Sequence, residues 1–475
     1  MEVPQAAAIL CAVLPYMNGG TFMLTESQRA KFEAYRAASA NSGKAGERLA
    51  ALFDDGVYTE VDAGIKNGDS LAGVVTAYGY VDGSPVYAFS QDKSVKGGAV
   101  SRQHAAKICK VLDLASRTGV PVVGIYDSNG AFVEDGAEAI KAYSEILTWT
   151  SNLSGVVPQI SVVAGACAGS AAMIACSADF VVITDDGELY VAPGADVKGE
   201  DAVKNGTASI SAKTDKDAME AVRRLISVLP ANNISVPPMF EAEATSKSAS
   251  GAAAEIAEAV ADVDSIIELS DGFGKAAYTA IATIGGSAVG IAATNKAVEK
   301  LTSEDCSKLA RFVRTCDAFS VPVLTVIDTE GFAADACVRD MAKIASAYAE
   351  ATTLKISVVT GKAYGAAMAA LGAGNADVTY AYPEAVISPI APVAAVEFLW
   401  HDKLKGAKDL AEERNKLAEQ YADENASAFD AAEKGCVDDI ITAEEARIKI
   451  QAALEAMSGK RMTKRLPKKH SNMPF

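Results

Sequence analysis

The chain has 475 residues, of which half are apolar and 22% are charged, the balance of a soluble globular protein too long for one ordinary core. Its net charge of -17 excludes a broad basic surface for nucleic acid, although a local backbone site could still bind a phosphate. The eight cysteines are spread singly, with no CxxC pair, which disfavours a zinc ribbon and fits a reducing cytoplasm.

The first apolar run, residues 6–15, is short and no Lys or Arg precedes it. A secretory signal begins with basic residues, and a membrane helix needs about 20 apolar residues. We therefore expect neither, and we treat residues 1–44 as an N-terminal extension.

A hairpin, a helix and a strand come next. Residues 73–91 predict two strands joined at Asp82-Gly83, a dipeptide suited to a tight turn. The segment from Ser101 has apolar residues at three- and four-residue spacing, which predicts a helix, and it runs on into an apolar strand and a Gly-containing loop. After another helix, the stretch SVVAGACAGSAAMIA (161–175) predicts a strand, a Gly-rich elbow and a helix start.

The same succession returns about two hundred residues later. The segment from Thr302 aligns without gaps with the segment from Ser101, pairing Lys107 with Lys308 and Asp127 with Asp328. A second hairpin precedes it and a second elbow, SVVTGKAYGAAMAA (357–370), follows it. This pattern predicts an α/β fold with mixed sheets that is used twice. We expect the linker in the weakly patterned residues 236–262.

Each elbow leaves the first backbone N–H groups of a helix unpaired at the positive end of the helix dipole. In a dry site such groups form an oxyanion hole. Glycines that allow close approach and small residues that leave room recur in both copies: Gly165, Gly169, Ser170, Ala171 and Ala172, then Gly361, Gly365, Ala366 and Ala367. Glycines packed where a helix meets a sheet would explain one copy. Two copies at equivalent positions favour a function, although duplication of a structural motif would give the same pattern.

A different chemistry is also open. GACAG has the form of a nucleophile elbow, with Cys167 in place of serine. Against this hydrolase, the chain has only three histidines, and the second copy has Ala363 at the equivalent position. A buried, inert Cys167 is the simpler interpretation.

From about residue 45 to the end, the chain resembles the carboxyltransferase subunits of biotin-dependent acyl-CoA carboxylases and decarboxylases. The resemblance is carried by SGVVPQISVVAGACAGSAAM, KAYGAAM, PVVGIYDSNGAF, LISVLPANN, AAEKGCVDDII and the terminal KKHSNMPF. It implies a tandem duplicated crotonase-like fold of β-β-α superhelix domains. The implied domains are residues 45–240 on the acyl-CoA side and 241–475 on the biotin side.

The resemblance also implies the chemistry. A short acyl-CoA of the malonyl or methylmalonyl type would form an enolate held by the first elbow, and the second elbow would polarise the ureido oxygen of biotin. The implied catalytic residues are Gly169, Ser170, Gly365, Ala366 and Ala367. The implied substrate-binding residues are Gly130, Ala131, Ala168, Ala171, Lys362, Tyr364 and Ala369. No metal is implied.

The implied partners are a biotin carboxyl carrier protein and either a biotin carboxylase or membrane decarboxylase subunits. A homo-oligomer, from dimer to hexamer, is implied because in the family the two elbows meet across a subunit contact. We expect a cytoplasmic protein that could associate with a membrane decarboxylase complex.

The sequence departs from the family pattern in several places. Phe132 stands where the family has Arg after the D-S-G-G-A loop, Asn129 replaces a glycine of that loop, and residues 331–340 lack the usual motif. The second glycine of each elbow motif has become Ser170 and Ala366. The acyl-CoA and the direction of reaction therefore stay open, as do a glutaconyl-CoA decarboxylase subunit and a non-catalytic scaffold.

Overall fold

The computed structural model describes residues 24–40, 43–192, 194, 197–405, 407–460 and 472. By internal contacts the chain divides into Met1–Gly43 and Lys44–Phe475. The first unit contributes helix α1 (Glu26–Ala40), which falls in the expected N-terminal extension. Most of the basic tail that carries the terminal family motif lies outside the described residues.

The second unit contains two copies of one architecture. We call residues 43–228 the N-terminal repeat and residues 253–456 the C-terminal repeat. The N-terminal repeat contains α2 (Gly43–Leu52), β1 (Tyr58–Glu60), β2 (Lys66–Asn67), β3 (Ser70–Leu71), β4 (Val74–Val81), β5 (Ser84–Gln91), α3 (Arg102–Thr118), β6 (Val122–Ser128), α4 (Ala137–Leu153), β7 (Gln159–Ala168), α5 (Ser170–Cys176), β8 (Phe180–Thr184), β9 (Glu188–Tyr190), β10 (Val197–Lys198), α6 (Gly199–Lys204), β11 (Ile210–Ala212) and α7 (Asp215–Val228).

The C-terminal repeat follows the same plan with additional helices near its end. It contains α8 (Ala253–Val260), β12 (Ile267–Glu268), β13 (Tyr278–Ile284), β14 (Ser287–Ala293), β15 (Lys300–Leu301), α9 (Ser303–Ala318), β16 (Val323–Thr329), β17 (Gly331–Phe332), α10 (Val338–Glu350), β18 (Lys355–Tyr364), α11 (Gly365–Leu371), β19 (Val378–Ala381), β20 (Val386–Ser388), α12 (Pro392–Leu399), α13 (His401–Leu404), α14 (Leu410–Asn425), α15 (Ala428–Glu433), β21 (Asp439–Ile440) and α16 (Ala446–Ala456).

The main sheets of the two repeats have matching strand orders. In the described residues they run β1-β4-β5-β6-β7-β8-β11 and β12-β13-β14-β16-β18-β19-β21, and β9 and β20 pair with the ends of β7 and β18. Each sheet begins with an antiparallel hairpin and continues in parallel. The two predicted hairpins are therefore confirmed, as is the mixed α/β architecture used twice.

The repeated lysines explain why each long helix packs where it does. Lys107 lies buried on α3, and its Nζ donates to the carbonyl oxygen of Val74 at 2.7 Å. Lys308 on α9 donates to the carbonyl oxygens of Phe273 and Ala277 at 2.9 and 2.8 Å. Buried ammonium groups need such acceptors. Both lysines therefore fasten a helix to the segment that starts a hairpin.

The predicted linker is only partly correct. Residues 253–260 form α8, which buries Ile256, Ala257 and Val260. The Ala-rich stretch has one apolar face, so tertiary packing stabilises a helix where the overall pattern looked weak. One hydrophobic cluster also contains residues of both repeats, including Leu225 and Phe312. The division at residue 240 stays a prediction.

Candidate active site

The first elbow has the predicted strand, turn and helix. Strand β7 is buried along its whole length and ends at Ala168, and the next residue, Gly169, has φ +63° and ψ -128°. Residues other than glycine rarely adopt this backbone conformation, so glycine makes the turn possible. The N–H of Gly169 donates to the carbonyl oxygen of Tyr190 at 2.8 Å. Ser170, the first residue of α5, is exposed, whereas Ala171 behind it is buried.

The second elbow repeats this geometry. Gly365 has φ +57° and begins α11 directly after β18. A Cβ on Gly365 would lie 3.0 Å from the carbonyl oxygen of Pro389, so the position is also crowded. Ala366 is exposed and Ala367 is buried, as are Ser170 and Ala171 in the first copy. The two predicted elbows therefore share a glycine with positive φ at the turn and have equivalent patterns of exposure.

A bulge precedes each elbow. The pairing of β6 with β7 shifts register between Tyr126 and Ser128, and that of β16 with β18 shifts at the corresponding place. Gly165 and Gly361 lie in these bulges. A Cβ on either would lie 2.2 or 2.5 Å from a carboxylate oxygen of Asp127 or Asp328, respectively. Glycine is required because each carboxylate occupies the space of a side chain.

The two aspartates are held differently. In the N-terminal repeat the buried Arg48 donates to Asp127 Oδ2 at 2.9 Å, to the carbonyl oxygen of Ala164 at 2.9 Å and to Asp215 at 2.8 Å. Asp127 Oδ1 has no hydrogen-bond partner among the described residues, and the Lys93 ammonium lies 3.6 Å from it. Sequence reasoning missed Arg48, because only the fold brings it beneath the elbow.

In the C-terminal repeat the equivalent aspartate, Asp328, is held by neutral groups. Asp328 Oδ1 accepts the backbone N–H of Lys362 at 2.8 Å, and Oδ2 accepts from Asn295 at 2.6 Å. The alignment of Asp127 with Asp328 could have indicated a shared structural role. It could not show that one is paired with a buried cation and the other with amides.

The predicted loop residues lie beside the elbows. Gly130 has φ +108°, and its N–H donates to Ser128 Oγ at 3.1 Å. A Cβ on Gly130 would lie 3.7 Å from the Cβ of Ala168, so this loop packs on the last residue of β7. Ala131 is exposed and bridges to Val100. Gly130, Ala131 and Ala168 are thus brought together at one end of the strand.

Phe132 carries a cation on its ring. The Lys96 ammonium lies 4.7 Å from the ring centroid of Phe132 and donates to the carbonyl oxygen of Asn67 at 3.1 Å. A lysine over an aromatic face is a cation–π contact. The position where the family resemblance led us to expect Arg therefore still has a positive charge above it.

The C-terminal site residues are more polar. The Lys362 ammonium contacts Glu299 Oε1 at 3.0 Å and Glu330 Oε1 at 2.9 Å. The hydrogen bond to Glu330 raises the pKa of Lys362, and the same contact lowers the pKa of Glu330. Tyr364 is half-buried, and burial raises the pKa of its phenol. Ala369 is exposed on α11, with its carbonyl oxygen accepting from Asn375 at 3.0 Å.

Cys167 is placed unfavourably for a nucleophile. Its side chain is fully buried in β7, and burial raises the pKa of the thiol. A nucleophilic cysteine needs a lowered pKa and access to substrate. His104 is also fully buried, and its Nε2 lies 3.2 Å from Gln91 Nε2. This geometry disfavours the hydrolase.

The described residues contain no group of three or more His, Cys, Asp or Glu side chains arranged to hold a metal ion. None of their helices combines the length and apolar character needed to cross a membrane.

Comparison with known proteins identifies the family. The family model described as the carboxyl transferase domain matches residues 39–473. The chain is 36% identical over 487 residues to the methylmalonyl-CoA decarboxylase subunit alpha of Propionigenium modestum, covering 91% of this chain and 94% of that protein. It is 33% identical to the propionyl-CoA carboxylase carboxyltransferase subunit of Haloferax mediterranei, covering 90% and 93%.

Solved structures agree with these relatives. A crystal structure of transcarboxylase 12S, described as a hexamer assembly with hydrolysed methylmalonyl-coenzyme A bound, superposes with a TM-score of 0.88. It is 29% identical and covers 96% of this chain and 100% of that chain. The predicted crotonase-like fold is thereby confirmed.

These findings define an enzyme class. The chain belongs to the carboxyl transferase domain family. It is a biotin-dependent carboxyltransferase of the propionyl-CoA carboxylase and methylmalonyl-CoA decarboxylase type. The predicted family is therefore confirmed, while the roles of individual site residues remain predictions.

Proposed function

We propose that this protein moves a carboxyl group between a short acyl-CoA of the malonyl or methylmalonyl type and biotin on a carrier protein. The observation that carries this proposal is the pair of equivalent elbows, with φ +63° at Gly169 and +57° at Gly365, in one chain of this family. Two backbone sites of the same geometry suit a reaction in which two carbonyl oxygens gain negative charge.

The N-terminal elbow is assigned to the acyl-CoA. Loss of the carboxyl group, or of a proton, leaves electrons that move to the thioester oxygen and form an enolate. The N–H of Ser170, at the start of α5, is the donor that we assign to this oxygen. Because the N–H of Gly169 already donates to Tyr190, Gly169 contributes the turn rather than a second donor. Ala168, Ala171, Gly130 and Ala131 leave room for the acyl group.

The C-terminal elbow is assigned to biotin, whose ureido nitrogen accepts or gives the carboxyl group when bound. The residues present fit such a group. Ala366 is exposed and small, and the first N–H groups of α11, from Gly365 to Ala367, can donate to a carbonyl oxygen. Lys362 and Tyr364 stand on the strand that leads into this elbow and would line the site, with Ala369 on the following helix.

The proposal includes partners and assembly. We infer a biotin carboxyl carrier protein, together with a biotin carboxylase or membrane decarboxylase subunits, and a cytoplasmic homo-oligomer between dimer and hexamer. Helix α12 supports self-association because it exposes Phe398 and Leu399, which are 81% and 66% accessible. Sedimentation at micromolar concentration should show an oligomer, and a pure monomer would contradict this part.

The function is tested with free biotin as acceptor. Purified protein is incubated with malonyl-, methylmalonyl- or glutaconyl-CoA, and loss of each acyl-CoA is followed with and without biotin. We expect biotin-dependent loss of malonyl- or methylmalonyl-CoA. Turnover of glutaconyl-CoA alone would favour that decarboxylase, and no turnover by a folded oligomer would favour the scaffold.

A further inference from the structure

The two repeats differ at three positions that come together in space. The pairing of Val100 with Ala131 corresponds to the pairing of Leu301 with Phe332. The pairing of Ser128 with Cys167 likewise corresponds to that of Thr329 with Ala363. These registers align Gly98, Asn129 and Ala166 of the N-terminal repeat with Glu299, Glu330 and Lys362 of the C-terminal repeat. Three positions with uncharged residues in the N-terminal repeat therefore have charged residues in the C-terminal repeat, where they form an ion-pair cluster.

The cluster is built on connected backbone. Glu299 precedes β15 and Glu330 precedes β17, the strand that pairs with β15. The N–H of Glu330 donates to the carbonyl oxygen of Glu299 at 3.2 Å, and Thr329 Oγ1 donates to the same oxygen. The Lys362 ammonium lies 3.0 and 2.9 Å from the two carboxylates, and the Lys300 ammonium lies 3.6 Å from the other oxygen of Glu330.

The position of Lys362 relates the cluster to the elbow. Alternate residues of a strand point to the same side, so Lys362 and Tyr364 share a face, opposite the fully buried Ala363. The Lys362 side chain is 39% exposed, so it lies at a surface that a ligand can reach. An ammonium has three N–H donors, and the two glutamates account for two of them.

From this arrangement we propose that Glu299 and Glu330 are positioning residues that fix the Lys362 ammonium at the mouth of the C-terminal elbow. Its third N–H then faces the carboxylate that moves to or from biotin. This inference rests on the proposed function. A lysine that rotates freely would lose side-chain entropy when it binds that carboxylate. Here the two glutamates already restrict the lysine side chain, so this entropy is lost before the ligand binds.

The alternative is a surface ion-pair network with no role in the reaction. Exposed ion pairs contribute little stability, so persistence of the cluster in a crystal would not separate the two explanations. Distinguishing the positioning role from a surface ion-pair network requires a measurement on Lys362 itself and a kinetic measurement on the biotin half-reaction.

The first measurement is competitive acylation of Lys362 by an amine reagent across pH, quantified by mass spectrometry. It is performed on wild type and on the Glu299→Gln/Glu330→Gln double variant. Glutamates that hold the ammonium keep its pKa high, so the pKa obtained by labelling should fall by about one unit in the double variant. Glu220→Gln, an exposed glutamate on α7, removes one charge elsewhere and should change nothing.

The second measurement is steady-state turnover with free biotin. The double variant should lose about 10-fold in kcat/KM for biotin, with KM for the acyl-CoA unchanged. The alkaline limb of its pH–activity profile should shift to lower pH. Lys362→Arg should retain more activity than Lys362→Met because it keeps the charge.

The outcomes distinguish this inference from the proposed function. An unchanged Lys362 pKa, or a lowered pKa with unchanged biotin kinetics, overturns the positioning role while biotin-dependent turnover stands. A wild type with no biotin-dependent turnover refutes the proposed function and this inference together.

Discussion

The N-terminal and C-terminal repeats build the same turn with different supports. Both have a bulge, a glycine facing a carboxylate and a second glycine with φ near +60°. Beneath the first elbow, Asp127 is paired with the buried Arg48, whereas Asp328 accepts hydrogen bonds from Asn295 and a backbone N–H. The main-chain geometry is therefore retained while the charges around it have diverged.

The shared main chain and the different side chains have separate consequences for the two elbows. A shared backbone supplies shared donor geometry, so both should stabilise an oxyanion. We expect the side chains beside each elbow to decide which ligand it accepts. Ala166 and Ala168 precede the first elbow on its strand, whereas Lys362 and Tyr364 precede the second.

The largest expected effect concerns the supports. Arg48→Met removes the cation from a buried carboxylate and should cost about 3–5 kcal/mol of unfolding free energy. Asn295→Gly removes one hydrogen bond to Asp328 without straining the left-handed backbone at this position (φ +60°) and should cost about 1.5 kcal/mol. Urea denaturation of both variants beside wild type measures the two losses. Equal losses would contradict the difference in support.

The next effect concerns the donor at the first elbow. Proline is tolerated at the first position of a helix, so Ser170→Pro should fold while removing one N–H. Loss of one oxyanion donor costs about 10²–10³ in kcat, measured as biotin-dependent turnover of methylmalonyl-CoA. Ser170→Ala keeps the N–H and should be mild. If alanine were as damaging as proline, the hydroxyl and not the backbone would be the active group.

A smaller effect concerns the glycines in the bulges. Gly165→Ala and Gly361→Ala each place a Cβ within 2.5 Å of a carboxylate, and overpacking of this kind costs about 1–3 kcal/mol. We expect Gly165→Ala to cost more, because Arg48 holds Asp127 in place. Thermal or urea unfolding ranks the pair, and the reverse order would show that Asp127 moves more easily than Asp328.

The smallest effect concerns the buried thiol. Cys167→Ala gives the first repeat the residue that the second already has at Ala363, so it should cost about 1 kcal/mol of stability. Biotin-dependent turnover should stay within a few-fold of wild type. A folded but inactive variant, with an acyl adduct on wild-type Cys167 in mass spectrometry, would support the hydrolase instead.

The sequence by itself determined the duplicated architecture and the elbows. Hydrophobic periodicity, the Asp82-Gly83 turn and the repeated G-x-x-x-G spacing are local signals, because each depends on neighbouring residues. The family also followed from local motifs, and the comparisons confirm it. The predicted site residues cluster at the two elbows because their positions follow directly from those motifs.

Only the tertiary structure decided which groups meet around the elbows. Arg48 and Asp127 are 79 residues apart, and Glu299 and Lys362 are 63 apart, so no local pattern links them. Helix α8 was missed because its stability comes from packing rather than from sequence propensity. The bond from Gly169 to Tyr190 likewise depends on β9 returning beside β7, and this bond is the reason that we propose Ser170 alone as the donor at the first elbow. Contacts between distant segments depend on how the strands are arranged in the sheet, and a linear pattern does not specify that arrangement.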